Sequence, residues 1–281
     1  MQATAVQGAG LGFRRELIES LKSGVPREIA FFELAPENWA GMGGKSARDL
    51  RQFTERYPFV CHGLSLSLGG IAPLDETLLH RIKAFMAEHN ISLYTEHLSW
   101  CADDSHLYDL LPIPLSEKAA NWTVDRIKHA QDILGMRIGI ENASYYVAPP
   151  GGEMTEAEFI SYIVHEADCL LHLDVNNIYV NNRNFDFDPV AFMDALPLER
   201  TCYVHVAGHF VEPDGLLIDT HGADVIDPVW SLLELAYQRI GKVPTCLERD
   251  FNIPDLAALT AEIAVIARLQ SSAHDHQRKV A

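Results

Sequence analysis

Seven short apolar runs between residues 61 and 250 end in an imidazole or a carboxylate: CHG at 61–63, TEHLSW at 95–100, GIENAS at 139–144, LHLDVNN at 171–177, YVHVAGH at 203–209, IDTHG at 218–222 and CLERD at 246–250. One strand ending in histidine means little. Seven such endings, separated by helix-length stretches, describe side chains converging on the top of a parallel barrel, where (β/α)8 enzymes place their chemistry. Apolar runs of strand length fall at 8–13, 29–34, 59–65, 91–97, 137–141, 170–174, 202–205 and 244–248. Stretches at helical period fall between them, at 16–22, 47–56, 76–89, 116–134, 156–166, 189–196 and 228–239, with a last one at 254–269. Thr155 three residues before Glu158, and the Asp227-Pro228 pair, are helix-start signals. Strand–helix alternation repeated eight times predicts a parallel sheet, and the count favours closure into a (β/α)8 TIM barrel. An open dinucleotide-binding sheet is less consistent, because GAGLGF at 8–13 lacks the GxGxxG spacing.

At 281 residues the chain suits one such domain, with no repeat or internal break; residues 1–270 are expected to form the barrel. The polar end 271–281, SSAHDHQRKVA, is expected to be a frayed tail. No apolar stretch approaches the roughly 20 residues that span a bilayer, and MQATAVQGAG lacks the basic-then-apolar order of a signal peptide. Five cysteines without paired spacing suggest reduced thiols, so the expected location is the cytoplasm. The formal charge of −17 makes a phosphate backbone a poor partner. Neither a nucleic acid nor a membrane is expected to bind.

Four histidines (His62, His97, His205, His221) and four carboxylates (Glu141, Asp174, Asp219, Glu248) sit at or beside these run ends. A lone strand histidine is usually a core residue, and a lone carboxylate usually an ion-pair partner. Eight converging groups exceed the four to six that one ion needs, so two or three metal ions sharing ligands are expected. Glu141, ending the apolar run RIGI, must be paired or metal-bound if it points inward. A carboxylate can bridge two cations, which makes Glu141 the bridging candidate, and Glu141 and Asp174 the residues expected at the reacting centre. Asn142 beside it is expected to orient substrate. His172 shares a face with Asp174 one layer deeper and ranks below the others as a ligand. Asn177 is an amide ligand, a substrate contact or a turn former, and His209 is expected in a loop behind the site. Two connections, 99–115 and 176–188, are long enough to be functional. Their aromatic and amide groups (Trp100, Tyr108, Tyr179, Asn181, Asn182, Phe185), with Arg183, are expected to grip an extended substrate.

The ordered set HGLS, EHLSW, IEN, LDVNNIYVN, HVAGH, DTHG and LERD, spanning about residues 8 to 265, resembles the multinuclear non-heme iron-dependent oxidative enzymes, formerly a family of uncharacterised proteins. The resemblance implies a (β/α)8 barrel with two or three irons, held by all eight residues named above. It implies an oxygen-using oxidase that modifies cysteines of a ribosomally synthesised precursor peptide, with a small partner protein capturing the peptide leader. The implied chemistry is redox, with the peptide cysteine held as thiolate and O2 as co-substrate. Imidazole and carboxylate by themselves accept zinc or manganese as readily. The competing class is a metal-dependent hydrolase or isomerase of the endonuclease IV or xylose isomerase type. Against it stand the absent basic stripe and the placing of Lys83, Lys118, Lys128 and Lys242 away from strand ends. A metal-storage protein is a poorer design, because the site forms only with the whole barrel.

Overall fold

The structure, a computed structural model, describes residues 6–103, 105–149 and 152–280. Its strands in chain order are β1 (Ala9–Gly12), β2 (Phe31–Leu34), β3 (Phe59–Gly63), β4 (Tyr94–His97), β5 (Trp100–Ala102), β6 (His106–Leu111), β7 (Gly139–Glu141), β8 (Leu170–Asp174), β9 (Thr201–Val206), β10 (Phe210–Val211), β11 (Leu217–Ile218) and β12 (Thr245–Leu247). Eight of them close a barrel in the order β1-β12-β9-β8-β7-β4-β3-β2, every pair parallel. The remaining four form two small antiparallel hairpins, β5-β6 and β10-β11, above the barrel strands they follow. The helices are α1 (Ile18–Ser23), α2 (Gly44–Thr54), α3 (Glu76–His89), α4 (Glu117–Leu134), α5 (Glu156–Glu166), α6 (Val175–Phe185), α7 (Pro189–Ala195), α8 (Asp227–Ile240) and α9 (Leu256–Val280). The closed single barrel expected from the alternation is therefore the fold.

Two apolar layers hold it. The larger lies between strands and helices and includes Phe13, Phe32, Leu50, Phe53, Leu79, Ile127, Ile163 and Ile266. The smaller plugs the barrel interior and consists of Val6, Phe31, Val60, Leu93, Cys202, Tyr203 and Cys246. Alternation along each strand then dictates what stands above the plug. Phe31 is followed two residues on by Glu33, Val60 by His62, Leu93 by Thr95, Tyr203 by His205 and Cys246 by Glu248. Each fully buried aromatic or aliphatic side chain in the plug contributes about 1.5–3 kcal/mol. That apolar floor is what carries a polar layer in the barrel's upper half.

Three expectations are corrected. The stretch 176–188 is no loop: α6 runs directly from β8, because the Asp174 side chain accepts from the Asn177 N–H at 2.6 Å and caps it. The stretch 99–115 carries the β5-β6 hairpin. The expected frayed end continues α9 to Val280. That helix also contains a window, Leu256–Ala273, long and apolar enough by composition to cross a membrane, with mean hydropathy 1.2. Its Leu259, Ile263 and Ile266 are fully buried and belong to the core packed on the barrel, which accounts for the apolar stripe.

Candidate metal centre

The polar layer is assembled from six barrel strands. β2 supplies Glu33, β3 His62, β4 His97, β7 Glu141, β8 His172 and Asp174, and β9 His205; Glu248 follows β12 directly. All are buried except His97, which is partly exposed. Glu141 lies between two groups of imidazoles. Its Oε2 stands 3.1 Å from His62 Nε2 and 3.4 Å from His97 Nε2, while its Oε1 stands 3.2 Å from His205 Nδ1. His205 Nδ1 also lies 3.0 Å from Glu248 Oε2 and 3.9 Å from Asp174 Oδ2.

The rear nitrogens are tied down. His62 Nδ1 pairs with Thr95 Oγ1 at 2.8 Å, His97 Nδ1 donates to the Gly63 carbonyl at 3.0 Å, and His205 Nε2 meets Glu33 Oε2 at 2.6 Å. Fixing one ring nitrogen sets the tautomer and aims the other lone pair, as metal-bound imidazoles require. Glu33 was not singled out in the sequence. FFEL reads as a plain apolar strand, and only its alternation with Phe31 puts the carboxylate inside.

A second cluster stands beside the first. Asp219 and His221 follow β11, with His221 Nε2 2.8 Å from Asp219 Oδ1. His221 has a φ of 51°, in the left-handed region that an ordinary residue occupies only under constraint. Its Nδ1 is held by Asp250 Oδ2 at 2.9 Å, and Asp250 in turn accepts from Arg14 Nε at 2.6 Å. Asp219 also accepts from Ser144 Oγ and from Asn176 Nδ2. His221 Nδ1 lies 3.5 Å from Glu248 Oε2, which connects the two clusters.

The donor set fits metal ions. Among the described residues, Glu141 Oε2, Asp174 Oδ2 and both His172 nitrogens are buried without a hydrogen-bond partner, and orphaned buried polar atoms are costly. Ligand atoms of Glu141, Asp174, His205 and Glu248 lie within 4.8 Å of one another, as do those of His62, Glu141 and His205, and those of His221, Glu248 and Asp250. The charges agree. Burial, reinforced by Glu141 and Asp219, holds the Asp174 carboxyl well above its usual range. Burial also opposes ionisation of Glu141, but His172, His62, His205 and His97 around it outweigh that and hold it well below. For His97, burial opposes the charge, yet Glu141 and Glu96 prevail and lift the imidazole to about 9. Clustered carboxylates in an apolar shell are a cation-binding arrangement.

The eight residues expected as ligands are all brought into these two adjoining clusters. His172, ranked below them, touches the first: its Nδ1 is 4.0 Å from Glu141 Oε2, and burial, with His205 beside it, pushes its pKa well below the usual imidazole value. Asn142 does not offer itself to substrate, because its amide donates to the Asp174 carbonyl and accepts from the Asp174 N–H, both at 2.9 Å, splinting β7 to β8. Asn177 Nδ2 is used on the Asn142 carbonyl, while its Oδ1 is buried without a partner among the described residues, which suits an amide ligand. His209, expected in a loop behind the site, is buried there and meets Asn176 Oδ1 at 2.8 Å.

A cavity of about 600 Å³ opens onto the cluster and reaches His62, His97, Glu33, His221 and Glu248. Its walls come from the ends of β1, β2, β3 and β12: Phe13 to Glu16, Ala35, Asn38, Trp39, Leu64, Asp250 and Phe251. The grip expected from 99–115 and 176–188 is not where this cavity lies. Asn181 is buried on the Ala143 carbonyl and the Tyr145 N–H, the partly buried Asn182 donates to the Phe187 carbonyl, and Arg183 is exposed at the end of α6. The Tyr108 side chain lies outside the described residues.

Fold and site together define a (β/α)8 barrel with a buried histidine–carboxylate cluster able to hold metal ions. The chain belongs to the family of RiPP precursor modification enzymes MbnB/TglH/ChrH, whose family model matches residues 8–271. It is 61% identical over 266 residues to the UPF0276 protein Nmul_A2550 of Nitrosospira multiformis, covering 95% of this chain and 94% of that one. It is 50% identical over 277 residues to the UPF0276 protein PA3283 of Pseudomonas aeruginosa, covering 99% and 97%. Among solved structures it is similar to L-ribulose 3-epimerase, with a TM-score of 0.61 at 13% identity over 98% of both chains. It is also similar to D-psicose 3-epimerase from Clostridium cellulolyticum H10, with a TM-score of 0.59 at 11% identity, over 97% of this chain and 99% of that one. At such identity the epimerases share the fold alone.

Proposed function

We propose that the protein is a multinuclear iron-dependent oxidase that uses O2 to modify cysteine residues of a ribosomally synthesised precursor peptide, delivered with a small partner protein that holds the peptide leader. The observation that carries this reading is Glu141, one oxygen facing His62 and His97 and the other facing His205, in a chain of the RiPP-modifying family. A carboxylate so placed is suited to bridging two cations. His62, His97 and Glu141 would hold one ion, Glu141, Asp174, His205 and Glu248 a second, and Asp219 and His221 a third. When bound, iron supplies the electrons that reduce oxygen and the positive charge that favours a cysteine thiolate.

The protein's own part is geometry and exclusion of water. Thr95, the Gly63 carbonyl, Glu33 and Asp250 aim the imidazoles. Asp174 stays fixed by capping α6. The Phe31–Tyr203 floor keeps solvent from entering below. The substrate would enter through the cavity between the ends of β1, β2, β3 and β12. None of the protein's own five cysteines is available there, as all are buried in the core.

The test is metal analysis and Mössbauer spectroscopy on protein purified without oxygen. Two or more irons per chain, with coupled spectra, are expected. A protein fully active with zinc alone would return it to the hydrolase and isomerase class.

A further inference from the structure

The rim of the catalytic cavity holds an arginine already set in place. Arg15 is exposed and lines the cavity wall. Its guanidinium donates to the Asn38 carbonyl at 2.9 Å and lies 5.2 Å from the centroid of the Trp39 ring. Those contacts leave further N–H donors of the five on a guanidinium. Its neighbour Arg14 is committed to Asp250. Arg15 forms no ion pair among the described residues, although 39 carboxylates surround 22 basic side chains in this chain and Glu16 lines the same wall. Exposed apolar side chains share the rim: Phe251 is 64% exposed and Leu64 37%.

A stacked, hydrogen-bonded arginine loses little freedom when it binds an anion, and its planar fork matches a carboxylate. The carboxylates of the cluster are engaged elsewhere: Glu141 with imidazoles, Asp174 with the Asn177 N–H, and Asp219 with Ser144 and Asn176. Resting on the peptide reading above, the geometry points to Arg15 as the residue that docks a carboxylate of the peptide substrate while the cysteine lies over the metals. That carboxylate comes either from an acidic side chain near the cysteine or from the peptide's C-terminus. Phe251 and Leu64 flank it with apolar surface for the neighbouring residues.

The experiment uses iron-loaded enzyme and a cysteine peptide that the wild type modifies, in four forms: native, acidic side chains neutralised to Asn and Gln, C-terminal amide, and both changes together. KM and kcat are read by mass spectrometry for wild type, Arg15→Gln and Arg15→Lys, with iron content and melting as controls. Arg15→Gln is expected to raise KM about 10- to 100-fold, the range of a charge-assisted hydrogen bond. The expected kcat stays within about twofold, iron content is unchanged and Arg15→Lys is intermediate. One of the two neutralisations should raise the wild-type KM equally and leave Arg15→Gln indifferent, which identifies the source. If the KM of Arg15→Gln equals that of wild type, or is raised as much on the form lacking both carboxylates, the inference fails and the peptide reading stands. If the wild type modifies no cysteine peptide, both fall.

Discussion

Glu141 faces imidazoles with both of its oxygens, so replacing one oxygen by an amide changes both halves of the site at once. Glu141→Gln is expected to lose at least one iron per chain and about 100-fold or more in turnover, as removal of a charged ligand does. Asn177→Ala removes a neutral amide and a bond to the Asn142 carbonyl, and its loss should be about tenfold or less. Iron content and turnover of the two variants check the order, and full activity in the Glu141 variant would remove that residue from the site. Glu33→Gln leaves every ligand in place but weakens the bond that orients His205, so metal affinity should fall by about 10- to 100-fold, read by competition with a chelator. The eight candidate ligands are legible because each sits at a strand end or in a loop close by, where the run breaks from apolar to charged. Glu33 and His172 were less so. Each lies inside an apolar run, FFEL or LLHLD, and only the barrel's inward register brings it to the cluster.

Strand ends were legible for a related reason: β8 and helices α3 and α5 match the expected spans because alternation and helical period both break sharply there. The stretch 176–188 was read as a loop from its asparagines. That reading missed that Asp174 is at once strand end, candidate ligand and helix cap. Close packing inside the strands gives a test. A Cβ on Gly10 would overlap the Phe31 ring, which packs on Tyr203 within the plug. Gly10→Ala should therefore destabilise by about 1–3 kcal/mol in denaturant unfolding. At the start of α5, burial pushes the Glu156 carboxyl up to about 7 against the pull of the Tyr145 hydroxyl bonded to it. A carboxyl whose pKa is higher in the folded state binds more protons there, so its contribution is complete below the unfolded value near 4.5 and is lost as pH rises through about 7. Melting followed from pH 5 to 8 should fall less steeply in Glu156→Gln than in wild type, and equal slopes would deny that carboxyl a role.

At the scale of the whole molecule, the candidate metal cluster and the barrel are one object, since the six strands that carry the site are six of the eight that close the sheet. Stripping the metal leaves buried carboxylates facing one another, so chelation should lower the melting temperature by roughly 5–15 °C, the shift expected when a ligand bound 100- to 1,000-fold above its Kd is withdrawn from a domain of this size. Calorimetry with and without chelator measures it. The formal charge of −17 belongs to the same scale. It disfavours a phosphate backbone as a partner. Cysteine oxidation in a peptide is the central claim, and co-expression of the chain with cysteine-containing precursor peptides, followed by intact-mass spectrometry, tests it most directly. A loss of hydrogens or a gain of oxygen is expected on a cysteine peptide, requiring this chain and disappearing with Glu141→Gln. A peptide unchanged in mass, beside purified protein that nicks abasic DNA, would contradict it.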